Sequence, residues 1–178
     1  MTEKEFRDAA AYWDIQDSKS VKMDYEQLKQ AVEAYICSNN TCALATGSGN
    51  YIRCTPLEYS YHDGCFWIFT EGGKKFIGLE RNSNVCLAIY NTYKSPGGLR
   101  GMQITGRADI IEPFSPLYNA HAAYKKVSLA FLQKLDSPMH LIRITPETID
   151  YLCSDFKKQG YASRQTLILS DKSYTDNA

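Results

Sequence analysis

The chain has no surplus of charge: twenty lysines and arginines stand against twenty aspartates and glutamates in 178 residues. Such a balance provides no global field to gather nucleic acid or an anionic membrane, so any anion site must be local. No apolar run is long enough to span a bilayer, and the opening Met1-Thr2-Glu3-Lys4-Glu5 is polar, without the basic patch and apolar stretch of a leader. The chain therefore reads as cytoplasmic, with neither nucleic acid nor membrane among its partners. The six cysteines, Cys37, Cys42, Cys54, Cys65, Cys86 and Cys153, lack C-x-x-C or C-x-H spacing, which argues against zinc or a disulfide framework and for buried free thiols. Histidine is scarce: His62, His121 and His140 are the only imidazoles, and surface or packing roles are expected of all three. No repeat or low-complexity segment is present.

What is present is a helix-to-strand switch in hydrophobic period. A short leading helix should end near Tyr12-Trp13. Asp24 then caps a helix from Tyr25 to Cys37, with Gln27 placed for a capping box and Leu28, Ala31, Val32, Tyr35 and Ile36 on one apolar stripe. From Thr41 the pattern changes to strands: Thr41 to Thr46, Tyr51 to His62 with Pro56 marking a bend or edge, and Cys65 to Glu71 after the Asp63-Gly64 hairpin signal. Next come a short helix over 73–81, a strand Val85 to Tyr90 and a strand Arg100 to Ile111. Ser115-Pro116 opens a helix running towards Leu135, and strands Met139 to Thr145 and Thr148 to Cys153 are separated by Pro146. The tail after Ser154 is expected to pack loosely, and Ser170 to Ala178 to be disordered.

The fold class predicted is mainly β (α+β): a six-stranded antiparallel split barrel with flanking helices, a single domain overall. Residues 1–40 would supply helices packing on the barrel, 41–155 the barrel with a helix at about 115–135 inserted, and 156–178 the tail. The runs Cys65–Phe69 and Val85–Tyr90 are apolar on both faces, so something must cover the second face, either a helix or another subunit. A homodimer is expected.

One constellation carries chemistry. Arg53-Cys54-Thr55-Pro56 lies on a strand, and Phe69-Thr70-Glu71-Gly72-Gly73-Lys74-Lys75 runs from a strand into a helix start. A glycine-rich turn of this kind exposes backbone N–H groups and helix-dipole charge, to which the lysines add full charges. Arg53 could fork onto the same phosphate and Thr70 donate its hydroxyl. Taken alone, Gly-Gly-Lys-Lys is an ordinary solvated turn; the ordered set is what points to an anion.

With the later strand Arg100-Gly101-Met102-Gln103-Ile104-Thr105-Gly106, that set resembles the FMN-binding split barrels related to pyridoxamine 5'-phosphate oxidase. The resemblance implies that Arg53, Thr70, Lys74 and Lys75 hold the FMN phosphate, with Phe69 closing the strand before Thr70. It also implies that Cys54, Thr55, Pro56 and Leu57 lie along the ring, that Arg100, Gly101 and Gln103 contribute from the later strand, and that FMN sits at a dimer interface. The function implied is a flavin-dependent oxidoreductase, with NAD(P)H a candidate electron donor. The alternative is a barrel that stores, senses or binds flavin or haem without turnover. No tryptophan follows Trp67, and the tail offers Tyr161-Ala162-Ser163-Arg164-Gln165 where the oxidase has a tryptophan and an Arg-Leu-His-like segment. The substrate expected is therefore not pyridoxamine 5'-phosphate. No acid–base set or metal cluster is legible.

Overall fold

Asp24 opens the longest helix, α3 (Tyr25–Cys37), by accepting the Gln27 amide at 3.0 Å. The reciprocal half of a capping box is not made, because the Gln27 side chain instead accepts the Tyr161 hydroxyl of the tail at 3.0 Å. The computed structural model describes residues 1–169. Before α3 come α1 (Glu3–Ala10) and α2 (Tyr12–Asp17), so helix continues past the expected stop at Trp13. After it come β1 (Thr41–Ser48), β2 (Tyr51–Glu58), β3 (Ser60–His62), β4 (Cys65–Thr70), α4 (Lys75–Leu79), β5 (Asn84–Tyr90) and β6 (Arg100–Ile111). The chain continues through α5 (Pro116–Tyr124), α6 (Leu129–Leu132), β7 (His140–Cys153) and β8 (Arg164–Ile168).

The strands form one antiparallel sheet in the order β2-β1-β5-β6-β7-β4-β3, with β8 added to β7. It coils into the split barrel that the sequence predicts, with eight strands rather than six. The run Tyr51–His62 breaks at Tyr59, whose hydroxyl turns in to donate to the Ile36 carbonyl at 2.7 Å. The two runs around Pro146, in contrast, are one strand. Proline has no N–H for a ladder, and the register shifts beside it, Thr105 facing Thr148 but Gly106 facing Pro146, so Glu147 bulges out and pairing resumes. Gly106 is required at that point, because a Cβ there would lie 2.4 Å from the Thr145 carbonyl oxygen.

Alternation along the strands builds the core. Leu44, Leu87, Ile104, Ile149 and Leu167 are successive cross-strand partners from β1 to β8, and every one is buried. α3 closes this barrel with Leu28, Val32, Tyr35 and Ile36. The other face of β4 is covered from within the chain: Trp67 and Leu141 pack against Tyr118, Ala122 and Leu132 of α5 and α6. These two helices replace the single one expected to Leu135. Lys126 takes a left-handed φ of 58°, which ends α5, and the Ser128 side chain then caps α6.

The tail does not pack loosely up to Leu169. β8 pairs with β7, and Gln165, fully buried, bonds the Met23 N–H at 3.1 Å and the carbonyls of Val21 and Ala162 at 3.3 and 2.8 Å. A five-residue strand with glutamine at an inward position has too little alternation to be seen in sequence. The expectation for Ser170–Ala178 lies outside the described residues. All six cysteines are free, but only Cys42 and Cys153 are buried; Cys54 is exposed because β2 is an edge strand, and Cys37 because it ends α3. Among the described residues no helix is long and apolar enough to cross a membrane.

His62 and His121 meet Nε2 to Nδ1 at 2.9 Å, pinning α5 to β3, while His62 Nδ1 faces an Asp63 carboxylate oxygen at 2.8 Å. Both rings stack near Trp67, at centroid distances of 5.0 and 5.2 Å. Burial, then the neighbouring His62 and Lys125, push the His121 pKa down to about 4. The packing role expected of these two histidines is thus observed.

Two outcomes are expected from this packing. Gly106→Ala should cost about 1–3 kcal/mol in urea unfolding, the range for overpacking a tight site; an unchanged midpoint would refute the close approach. His121 is held neutral in the fold, whereas an unfolded histidine titrates near 6.5. Its contribution to stability is therefore complete above about pH 6.5 and is lost as pH falls towards about 4. Melting temperature should drop across that window, with a shallower drop in His121→Phe, and equal slopes in the two proteins would contradict the assignment.

Candidate functional site

Pro56 can sit within β2 because β2 lies at the sheet edge, where a missing donor leaves no ladder gap. Along that strand Tyr51, Arg53, Thr55 and Leu57 share one face, and Ile52, Cys54 and Pro56 the other. The Tyr51 hydroxyl donates to the Lys74 carbonyl at 3.0 Å, which ties the start of β2 to the turn preceding α4. Arg53 follows on the same face, cross-strand from Thr46. It is exposed and has no acidic partner among the described residues. Buried beside this region are two hydroxyls without a hydrogen-bond partner, Thr46 Oγ1 and Thr55 Oγ1. Orphaned buried hydroxyls are costly unless a ligand or water completes them.

The turn from β4 into α4 supplies the other half. Gly72 and Gly73 adopt φ values of 138° and 106°, a backbone that other residues adopt only with strain. Thr70 Oγ1 accepts the Gly72 N–H at 3.4 Å and lies 3.3 Å from the Gly72 carbonyl. Lys74 is exposed and, like Arg53, makes no ion pair among the described residues. Lys75 is buried, its ammonium folded back onto the Gly72 carbonyl and 5.4 Å over the Phe76 ring. Burial lowers its pKa, opposed by the Glu71 carboxylate. The helix dipole invoked from sequence contributes little, because α4 has only five residues; the positive charge here comes from side chains.

Of the residues expected to hold a phosphate, Thr70, Lys74 and Lys75 share the turn into α4, and the Tyr51 hydroxyl ties that turn to the strand that carries Arg53. Two neighbours escaped sequence reasoning. Tyr51 looked like one more strand aromatic, and His140 sits cross-strand from Thr70 with its ring against Phe76 at 4.8 Å and beside Gly72. Alternation of β7 around Pro146 was the only available signal for His140. Phe69 is not part of the group. Adjacent residues of a strand point to opposite faces, so with Thr70 inward Phe69 lies under α5, 5.2 Å from the Tyr118 ring.

Cys54 and Pro56 point to the outward face, and Leu57 packs on the core. Arg100, Gly101 and Gln103 lie elsewhere: they line a cavity of about 440 Å³ on the outward face. The cross-strand row Pro56, Ala43, Ala88, Gln103, Asp150 crosses that face, as does Cys54, Ala45, Cys86, Thr105, Thr148. Within one chain, Gln103 is thus three strand spacings from Pro56, roughly 14 Å. The surface between them is made of alanines and a cysteine, all half-buried.

Residues 28–153 match the pyridoxamine 5'-phosphate oxidase family. No curated protein matches the chain. Among solved structures, a FAD-binding protein from Mesorhizobium loti aligns with a TM-score of 0.54 at 18% identity, over 68% of this chain and 89% of that one. A candidate pyridoxamine 5'-phosphate oxidase from Listeria innocua gives 0.54 at 23%, over 70% and 98%. HutZ, the haem storage protein of Vibrio cholerae, gives 0.54 at 16%, over 70% and 92%. These likenesses establish the shared fold.

Proposed function

Because the chain belongs to the pyridoxamine 5'-phosphate oxidase family, we propose that it binds FMN through the Arg53 group and works as a homodimeric flavin-dependent oxidoreductase. The observation that carries this reading is a pair of cations without an ion-pair partner among the described residues: Lys74 directly after a double-glycine turn, and Arg53 on the strand that Tyr51 ties to that turn. Arg53 can present two parallel N–H donors to a phosphate, and Lys74 a point charge. Thr70 would add a hydroxyl, and the backbone at Gly72 and Gly73 lets an oxygen approach closely. The orphaned hydroxyls of Thr46 and Thr55 fit a polar ligand at this end of the barrel. Lys75 would join only after leaving the Gly72 carbonyl, so it is a reserve charge rather than a preset ligand.

When bound, FMN supplies the hydride and electron transfer, with NAD(P)H a candidate donor. The protein then needs to hold and orient it and needs few acid–base groups, in keeping with a turn that offers cations and hydroxyls. Separation of Arg100, Gly101 and Gln103 from the Arg53 group within one chain suits a site completed by a second copy. The small side chains of the outward face suit close apposition of such a copy. Pyridoxamine 5'-phosphate is not the expected substrate. Gln165, in the tail, is spent on a buried clamp to Met23 and Val21 and is not free for a ligand.

A non-catalytic flavin or haem holder is the alternative, and the Vibrio neighbour is a haem storage protein. Against haem, His62 and His121 are bonded to each other, which leaves His140 as the imidazole outside that pair. Arg53→Ala and Lys74→Ala should each weaken FMN binding by about 1–3 kcal/mol, the range for charge-assisted hydrogen bonds, in a flavin fluorescence titration. Unchanged affinity in both would remove the phosphate assignment. Bleaching of the flavin band by anaerobic NAD(P)H separates an oxidoreductase from a passive holder.

A further inference from the structure

We propose that the amino-terminal arm, residues 1–20, docks on a second copy of this chain, each copy clasping the other. The inference rests on the homodimer reading above and adds to it the segment that fastens the two copies. The arm precedes the segment matched to the oxidase family, residues 28–153. Neither α1 nor α2 has a buried residue. They are eight and six residues long, and isolated helices shorter than about 12–15 residues are marginal in water, so both need a surface to pack on.

Their own chain provides little of that surface. Phe6 is 62% exposed, and Trp13 is 50% exposed even with the Arg164 guanidinium 5.4 Å over its ring. Phe6, Ala9, Ala10 and Trp13 recur at i, i+3, i+4 and i+7, the spacing of one packing stripe. The ion pairs Lys4–Asp8 and Arg7–Glu3 lie along α1 beside it. The root of the arm is fixed, because the Val21 carbonyl accepts the Ala162 N–H at 2.9 Å and the Gln165 amide at 3.3 Å. Docking therefore costs little ordering.

Position, composition and charge name a second copy as the cover. Trp13 shares a cavity wall with Tyr90 and Gly101, so the arm stands at the margin of the outward face, where a copy seated on that face would meet it. The floor of the face is alanine and cysteine, whereas interfaces draw most of their energy from a few large buried anchors, which Phe6 and Trp13 supply. Ile52 and Tyr90, both outward and 81% and 69% exposed, offer apolar surface to receive them. From Glu3 to Asp17 five carboxylates stand against two cations. Lys94, on the loop before β6, and Lys157, on the turn after β7, are exposed and have no ion-pair partner among the described residues. An acidic arm from a partner complements them.

The test uses the full chain. Sedimentation equilibrium should give a dimer for the wild type and, for Phe6→Glu, a dissociation constant raised at least about tenfold, as expected for loss of an interface anchor. An unchanged far-UV circular dichroism spectrum checks that the variant is folded. In a second experiment the photo-reactive p-benzoylphenylalanine replaces Phe6, and isotopically light and heavy copies are mixed, left to exchange and irradiated. Cross-links from a light copy to a heavy one, on the outward face or the loops around it, are expected. This arm needs only an aromatic replacement and stands even if Phe6→Glu disturbs folding. Equal dissociation constants in wild type and Phe6→Glu, or cross-links confined to one chain, would overturn the docking of the arm and leave the homodimer in place. A wild type that stays monomeric at high micromolar concentration would overturn both.

Discussion

The pairing of β6 with β7 is the interaction on which the rest of the molecule depends. These are the two longest strands, and each half of β7 serves a different neighbour: His140–Ile144 holds β4, and Thr148–Leu152 holds β8. The bulge at Gly106 and Pro146 lets one strand do both, because the extra residue increases the local twist and re-aims the second half of the strand. At the β4 end this brings His140 beside Thr70 and the double-glycine turn. At the β8 end it brings Asp150 and Arg164 together on the outward face. The cationic turn and the cavity are thus positioned by opposite arms of one strand pair.

Much of this was legible because period and punctuation agreed. The stripe of α3, the Asp63-Gly64 hairpin and the alternation of β6 are local patterns, and each placed its element. What stayed hidden is contact between residues far apart in sequence. The histidine pair joins positions 59 residues apart, and nothing near His62 or His121 announces the other. Gln165 reads as a polar tail residue until Met23 and Val21 are seen around it. Phe69 parts from Thr70 for a simpler reason: residues adjacent in a motif look like one cluster, but parity on a strand sends neighbours to opposite faces. The same parity divides Cys54 and Pro56 from Arg53 and Thr55.

The site residues differ in how ready they are. Arg53 and Lys74 stand in solvent with their charges unspent, so a ligand meets little competition from the protein's own carboxylates. Lys75 and Thr70 already have partners in the turn, and the turn's shape depends on them. Recruiting those two exchanges an internal bond for an external one, with a smaller net gain than an unpartnered group provides. The arrangement combines a rigid, self-satisfied turn with two free cations at its edge. The fold therefore does not need the ligand to hold the turn.

The Gln165 clamp carries an implication for how the chain is made. Its amide reaches back across 142 residues to the Met23 backbone, and Tyr161 likewise reaches Gln27 at the start of α3. During vectorial synthesis the segment before α3 must wait for β8, made well over a hundred residues later, before these backbone groups are satisfied. The entry into α3 is therefore seated late, only after a strand far along the chain has been made.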